Sequence, residues 1–257
     1  MPEPRSFRTQ GIILNRRDMG EADRLIVLFT PERGKIEALA KGARKPLGKK
    51  TGHLELFSLT DVLISKGRSF DILVQAEMIE PYLLIREDLS RGAYANYVVE
   101  ALDKLTVTGQ QDVQRLFALL HVSLKRLADP ESDPRIVLRF FEIRLLDLAG
   151  FRPQLQNCVV TEEILLPISQ YFSYAEGGVV SPEGARYTSG LVDLPLNTFK
   201  VLRHFQRSKY ETLRKLQLDE ATHRDLERIM LGYISYLLER QLQSIDFIRR
   251  IRRLEQG

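Results

Sequence analysis

The stretch "FRTQGIILNRRDMGEADRLIVLFTPERGKIEALAKGA", Phe7–Ala43, decides the fold, because apolar and polar residues alternate through it in three short runs. Alternation with a period of two is typical of strands that are buried on one face. Charged and glycine-containing turns separate the runs. One of them, "TPERGK", is predicted to be a hairpin turn in which Gly34 is free to take a positive φ. The stretch therefore predicts three antiparallel strands.

Two further runs of the same kind follow, "ELFSLTDVLISKG" at Glu55–Gly67 and "FDILVQAEMIE" at Phe70–Glu80. They bring the number of predicted strands to five within the first eighty residues. Five short antiparallel strands fit a small closed barrel of the OB type, although an SH3-like barrel would satisfy the same pattern. We expect an N-terminal five-stranded OB-type β-barrel.

After Pro81 the apolar residues recur with the spacing of a helix. Three segments show it: "DLSRGAYANYVVEALDKLT", "DVQRLFALLHVSLKRLA" and "DPRIVLRFFEIRLLDLAG", the last of which ends on a glycine stop. Near the C-terminus a further helix carries an apolar stripe that is expected to lie in a bundle core: Leu226, Ile229, Met230, Tyr233, Ile234, Leu237 and Leu238. The fold class is thus multidomain α+β, a barrel followed by a helical bundle.

The change of pattern along the chain predicts four parts. Residues 1–80 form the barrel and 81–150 a helical domain. Residues 151–190 are an irregular insert rich in Gly, Pro and Ser, and 191–257 are C-terminal helices that pack with the helical domain.

Composition predicts a folded, cytoplasmic protein. The chain has 257 residues, of which 44% are hydrophobic and 28% charged, enough apolar material for real cores. Its single cysteine excludes an internal disulfide framework and fits a reducing compartment. The N-terminus lacks the apolar run of a signal peptide, and nothing approaches the roughly 18 apolar residues that span a bilayer. We expect no membrane contact.

The positive charge is concentrated in one place. The net charge is +4, but between Arg33 and Lys50 seven basic residues stand against Glu37 alone. Such a run favours an anionic partner, above all nucleic acid, over the alternative of a solvated loop. A second basic cluster closes the chain: Arg249, Arg250, Arg252 and Arg253.

Aromatic rings in or near the strands could stack on bases, as they do in OB folds. Four are available here: Phe7, Phe29, Phe57 and Phe70. Core packing is expected for at least three of them.

The motifs of covalent catalysis are missing from the sequence. "GARKPLGKKTG" has five residues between its first two glycines and a second lysine after Lys49, whereas a phosphate loop needs four residues and a Ser or Thr. The four histidines form no short-range ligand pair, and Cys158 has no assignable histidine partner. Asp18, Glu21 and Asp23 are expected to form a solvated turn instead of a cation site. We expect neither an enzyme nor a cofactor.

The segment "GIILNRRDMGEADRLIVLFTPERGKIEALAKGARK", followed by "GRSFDILVQAE", is distinctive. It resembles the N-terminal domain of the RecO family of bacterial recombination mediators. The matching positions are Gly11 to Leu14, Gly20 to Thr30, Gly34, Ala40 to Lys45, Gly67, Arg68 and Gln75 to Glu77. The order of barrel, helices, the "AGFRPQLQNC" region and further helices is similar too, so the likeness covers essentially the whole chain.

The resemblance implies DNA repair and recombination in the RecF pathway. RecO proteins bind single- and double-stranded DNA, anneal complementary strands coated by single-strand-binding protein, and work with RecR to load RecA at gaps. The implied location in the cell is the cytoplasm, in association with the nucleoid. The implied function changes no covalent bond. The expected DNA contacts are first Arg44, Lys45, Lys49 and Lys50, then Lys41, Lys35, Arg68, Arg16, Arg17 and Arg24. The alternative is an adaptor that bridges RecR and single-strand-binding protein without touching DNA.

Two further expectations rest on the resemblance. The C-terminal tail of single-strand-binding protein docks on the helical part in family members, which suggests Arg115, Lys125, Arg126, Arg139 or Arg144. Many members also carry a zinc ribbon patterned C-x2-C, then C-x2-C. Here those places fall at Cys158, Thr161, Ser181 and Gly184, so one ligand of four remains. We expect a degenerate ribbon without metal, held by packing of Val159, Ile164, Leu165, Phe172 and Val179.

Overall fold

The computed structural model describes residues 5–44, 51–106, 112–239 and 242–255. The chain forms two compact units, Met1–Asp129 and Pro130–Gly257. The boundary between them falls inside the segment 81–150, so the first helices belong to the barrel unit. The four-part division stays a prediction.

The first unit contains a closed five-stranded barrel, as the alternating runs predict. Its strands are β1 (Ser6–Met19), β2 (Asp23–Thr30), β3 (Gly34–Ala40), β4 (Leu59–Ser65) and β5 (Asp71–Glu80). Their order around the barrel is β1-β2-β3-β5-β4, and β4 returns to pair with β1. Neighbours are antiparallel except for β3 and β5, which meet in parallel where Ala38 and Leu39 lie beside Asp71 and Ile72. This arrangement is consistent with an OB-type barrel.

The first strand closes the barrel because it serves two neighbours. Its N-terminal half pairs with β4 from Ser6 to Ile12, and its C-terminal part pairs with β2 as far as Met19. The register with β2 shifts between Ile13 and Asn15. A bulge of this kind bends a strand and increases its twist, which lets one strand border both halves of a small barrel.

The barrel interior is filled by the alternate residues of the runs. The fully buried members are Ile13, Ile26, Leu28, Ala38, Ala40, Ala43, Leu54, Val62, Ile64 and Leu73. The same unit also contains the helices α1 (Leu83–Glu87), α2 (Leu89–Leu105) and α3 (Val113–Leu127). The helix α2 begins at an Asp88 N-cap whose side chain accepts a hydrogen bond from Arg91 N at 2.9 Å.

The second unit is mainly helical. It contains α4 (Pro134–Leu148), α5 (Leu196–Arg207), α6 (Tyr210–Leu213), α7 (Glu220–Leu237) and α8 (Gln243–Glu255). Between α4 and α5 lies a small antiparallel sheet of β6 (Gln170–Ser173), β7 (Gly178–Val180) and β8 (Leu191–Leu194), in the order β7-β6-β8. The helices predicted from periodicity correspond to α2, α3, α4 and α7.

The apolar stripe of α7 lies largely in the core, as predicted. Leu226, Ile229, Met230, Tyr233 and Ile234 are buried. Leu237 and Leu238, at the end of the helix, are half-buried. No helix in the described part of the chain has both the length and the apolar character needed to cross a membrane.

Candidate nucleic-acid interface

The barrel edge is formed by the end of β1 with its turn into β2, Arg17–Arg24, and by the segment after β3, Lys41–Arg44. Backbone contacts hold the two segments together. Arg44 N donates to Ala22 O at 3.0 Å, and Gly42 N donates to the Asp23 carboxylate at 2.8 Å. Ala43 is buried in the barrel core. The basic segment that follows β3 therefore starts from a fixed position beside the β1–β2 turn.

One carboxylate organises two of the predicted cations at this edge. Asp18 lies 3.1 Å from Arg24 Nε and 3.4 Å from Arg44 Nε. Arg44 also donates through Nη1 to Gly20 O at 3.0 Å. The three charged groups carry a net positive charge, and the shared carboxylate fixes both guanidinium groups. Fixed guanidinium groups lose less entropy when they bind phosphate.

Two other cations of the barrel edge face solvent. Arg17 and Lys41 are exposed, and within the described residues neither forms an ion pair. In the sheet register Arg17 lies opposite Leu25, and Leu25 lies opposite Leu39. The free charge of Arg17 thus borders a half-buried apolar surface on the outside of β2 and β3.

A further exposed cation, Arg68, lies in the β4–β5 turn. Glycine is required beside it, because a Cβ at Gly67 would lie 1.9 Å from the carbonyl oxygen of Phe70. Phe70 is 38% exposed. The turn is attached to the start of β1 through Lys66 N and Arg5 O, 2.9 Å apart. Arg68 and Phe70 together offer a charge for phosphate and a ring for a base.

Two predicted contacts are engaged elsewhere in the first unit. Arg16 pairs with Glu55 at 2.9 Å, and Lys35 pairs with Asp103 of α2 at 2.7 Å. Burial alone would raise the pKa of Asp103, but hydrogen bonds and charges from Lys35 and Lys104 outweigh it and lower the pKa. These pairs join parts of the fold, so Arg16 and Lys35 are less available to DNA than Arg17 and Lys41.

Lys45, Lys49 and Lys50 lie outside the described residues. Sequence reasoning did not select Arg5 and Lys66, which are exposed near Arg68. The sequence could have indicated Lys66 as a candidate DNA contact, because in "SKGRSF" it precedes the turn glycine Gly67 and lies two positions before Arg68. The four aromatic residues behave as expected, because Phe29 and Phe57 are buried and Phe7 packs against the core. Phe70 is the exposed one.

Comparison with known families identifies the chain. The family model described as "Recombination protein O N terminal" matches residues 4–82, and "Recombination protein O C terminal" matches residues 86–246. The chain belongs to the RecO family. Neither family description is that of a catalytic family, and the two matches cover the barrel and most of the helical part.

Individual RecO relatives resemble this chain over almost its whole length. A protein of Roseiflexus sp. is 34% identical over 97% of this chain and 87% of its own. A protein of Symbiobacterium thermophilum is 33% identical over 96% of this chain and 98% of its own. One of Dehalococcoides mccartyi is 31% identical over 95% and 96%. All three are named DNA repair protein RecO.

Three of the four positions expected for the ribbon, Thr161, Ser181 and Gly184, lie around the sulfur of the fourth, Cys158. Cys158 Sγ accepts hydrogen bonds from Thr161 N at 3.4 Å, Ser181 N at 3.3 Å and Ser181 Oγ at 3.4 Å. A Cβ at Gly184 would lie 2.8 Å from the same sulfur. Burial alone would raise the pKa of the Cys158 thiol, but the hydrogen bonds from Ser181 and Thr161 lower the pKa to about 6.

Zinc does not fit this arrangement. Tetrahedral structural sites use four thiolate or imidazole ligands, and here one thiol meets two hydroxyl side chains and a glycine. The backbone N–H groups point at the sulfur, and Gly184 leaves no room between its backbone and Sγ for a ligand and a metal. No group of three or more metal-ligating His, Cys, Asp or Glu occurs among the residues that the structure describes.

The predicted packing around the ribbon is correct for most residues and wrong for one. Leu165, Phe172 and Val179 are buried, and Val159 is half-buried. Ile164 is 78% exposed. It forms an isolated bridge with Asn157, and alternation along this extended segment turns Leu165 inward and Ile164 outward.

The residues suggested for a protein partner differ in accessibility. In α3, Arg115 and Lys125 are exposed, whereas Arg126 is half-buried. In α4, Arg139 is only 4% exposed and pairs with Glu142 at 3.1 Å. Arg144 donates to the carbonyl oxygens of Gln206 and Ser208, at 3.0 and 2.7 Å. Arg139 thus lies inside the second unit, and Arg144 is held by backbone carbonyl groups of the same unit. A partner role for the five residues stays a prediction.

Proposed function

We propose that this protein is a recombination mediator that binds single- and double-stranded DNA. With RecR, it would anneal complementary strands coated by single-strand-binding protein and help RecA to load, acting on DNA at the nucleoid. Membership of the RecO family over nearly the whole chain carries the proposal. No covalent step is required of the protein.

The barrel edge supports a DNA-binding mode that does not read sequence. Annealing requires that phosphate repulsion between two strands be screened while the base edges remain free to pair. At the barrel edge Arg17 and Lys41 offer exposed positive charge, and Asp18 holds Arg24 and Arg44. Arg68 adds an exposed charge in the β4–β5 turn. Lysine and arginine contacts to phosphate provide affinity with little base preference.

The test uses a barrel-edge variant with Arg17→Gln, Lys41→Gln and Arg68→Gln. Each lost phosphate contact should reduce the slope of log K against log salt for single strands by about 0.7, so three contacts predict a reduction of about 2. The measurement is binding of a fluorescent single strand over a series of salt concentrations. A control variant with Arg207→Gln, Lys215→Gln and Arg224→Gln removes the same charge from exposed positions of the second unit.

Annealing of strands coated by single-strand-binding protein is the second readout. Wild-type protein should accelerate annealing, and the barrel-edge variant should do so less than the control variant. If wild-type protein binds the coated strands but neither accelerates annealing nor binds bare DNA, the adaptor between RecR and single-strand-binding protein is the better description.

Lys45, Lys49 and Lys50 need a variant of their own because the basic stretch that contains them begins directly after the fixed Arg44. Reversing the three charges together should weaken DNA binding and lower its salt slope beyond the effect of the control variant. Unchanged binding and slope would remove these lysines from the proposed interface.

We also infer that the segment 151–190 is a zinc ribbon that has lost its metal. The convergence of Thr161, Ser181 and Gly184 on Cys158 Sγ supports this inference. Elemental analysis of purified protein should find zinc far below one atom per chain, and stoichiometric zinc would contradict it.

A further inference from the structure

The helix α8 carries the second basic cluster of the sequence, which the proposed function leaves without a role. One side of this helix is buried and anchors it to the fold. Ile245, Ile248 and Ile251 recur every three residues and are buried. Arg252 pairs with Glu227 of α7 at 2.7 Å, so this arginine belongs to the anchor as well.

The opposite side of α8 is exposed and positively charged. Arg249, Arg250 and Arg253 are all exposed. At about 100° of rotation per residue they lie within one arc of roughly 100°, spread over about 6 Å of the helix axis. The contact of Arg249 with Asp246, 3.8 Å, is long and exposed. Within the described ranges Arg250 forms no ion pair. Most of this charge is therefore available to an anion.

Two apolar side chains border the arginines. Phe247 is 37% exposed and Leu254 is 71% exposed, and seven positions separate them, so they lie on the same side of the helix next to Arg250. The exposed face thus combines guanidinium groups with an aromatic ring.

We propose that this face of α8 binds the phosphate backbone of a nucleic-acid strand. Guanidinium groups match phosphate oxygens through paired hydrogen bonds, and the Phe247 ring can stack on a base of a single strand. Charge complementarity selects the ligand, since three arginines share the face with a single described carboxylate, that of Asp246. The inference rests on the proposed function and extends it.

Annealing joins two strands, and a second phosphate-binding surface would provide a place for the second strand. The barrel edge belongs to the first compact unit and α8 to the second, so the two surfaces share no side chain. One molecule could then hold a strand at each surface and bring two strands together.

The experiment compares an α8 variant, with Arg249→Gln, Arg250→Gln and Arg253→Gln, with the control variant Arg207→Gln, Lys215→Gln and Arg224→Gln. Both remove three positive charges from exposed positions of the same unit, and the α8 variant keeps Arg252. The probe is a fluorescent oligothymidylate. We expect the salt slope of its binding to fall by about 2 in the α8 variant and to stay at the wild-type value in the control.

The outcomes are distinguishable. An α8 variant that matches the control overturns the inference, and if the barrel-edge variant still loses slope, the proposed function stands. If wild-type protein does not bind the oligothymidylate and does not accelerate annealing, the proposed function fails with it. Loss of binding to a fluorescent peptide rich in Asp and Phe, with DNA binding unchanged, would assign α8 to a protein partner and overturn the inference. If circular dichroism shows that the triple variant is unfolded, Arg250→Gln alone should lower the slope by about 0.7.

Discussion

At the residue scale, the sulfur of Cys158 does by hydrogen bonding what a metal does by coordination. It joins two turns that are far apart in sequence, through Thr161 on one side and Ser181 on the other. The N–H groups of both turns donate to this sulfur, and Cys158 itself is buried. Their partner is thus important for the stability of the second unit.

We predict that Cys158→Ala lowers the free energy of unfolding by about 1–3 kcal/mol, because the N–H groups of Thr161 and Ser181 lose their acceptor. Urea denaturation followed by circular dichroism would measure the change. Cys158→Ser keeps an acceptor at this position and should lose less. An alanine variant as stable as the wild type would show that the sulfur contacts add nothing.

His223 of α7 predicts a pH dependence. Burial lowers its pKa, Arg135 lowers the pKa further, and Asp133 and Glu220 act in the opposite direction. Below about pH 6.5 the unfolded chain therefore binds more protons than the folded one, and stability falls as the pH drops through that value. The urea midpoint should decrease between about pH 7.5 and 5.5. His223→Gln should flatten this decrease, with His204→Gln as a comparison in the same unit. An unchanged pH profile in His223→Gln would contradict the assignment.

At the element scale, the β4–β5 turn leaves no room for a side chain at Gly67. Gly67→Ala would force a Cβ to within 1.9 Å of the Phe70 carbonyl oxygen, so the turn has to move. We predict a loss of roughly 1–3 kcal/mol of stability, the usual cost of overpacking. Since Arg68 lies in the same turn, DNA affinity should fall as well. Gly52→Ala is the matched control, because a Cβ there meets nothing within 4 Å. Equal melting temperatures for the two variants would refute the prediction.

The elements also show how far sequence reasoning reaches. The alternation through Ile13, Ile26 and Leu28 predicts strands because burial on one face is a local pattern. The parallel contact of Ala38 with Asp71, which completes the barrel, depends on residues that are distant in sequence and leaves no local signal. The same reason applies to Lys35, because no residue near it in the sequence reveals that it pairs with Asp103 of α2. The predicted burial of Ile164 is wrong because hydrophobicity alone does not reveal which side of an extended segment is covered.

At the scale of the whole molecule, two cationic surfaces lie on two compact units. Since they share no residue, the effects of changing them should add in log K. A variant that combines the barrel-edge and α8 substitutions is expected to lose about 4 units of salt slope on a strand long enough to reach both surfaces. Binding of a fluorescent single strand over a series of salt concentrations would measure this slope. The variant with all six substitutions is compared with the two triple variants. A combined loss no larger than that of either triple variant would mean that a single surface binds the strand.

The burial of Cys158 has a practical consequence for such experiments. It is the only cysteine of the 257-residue chain, and it is 1% exposed. A cysteine introduced at an exposed position such as Arg224 would be the only thiol open to a maleimide dye in the native state. The natural thiol can therefore remain in place while the protein is labelled for energy-transfer measurements, and storage without reductant should not produce disulfide-linked pairs of the unlabelled chain.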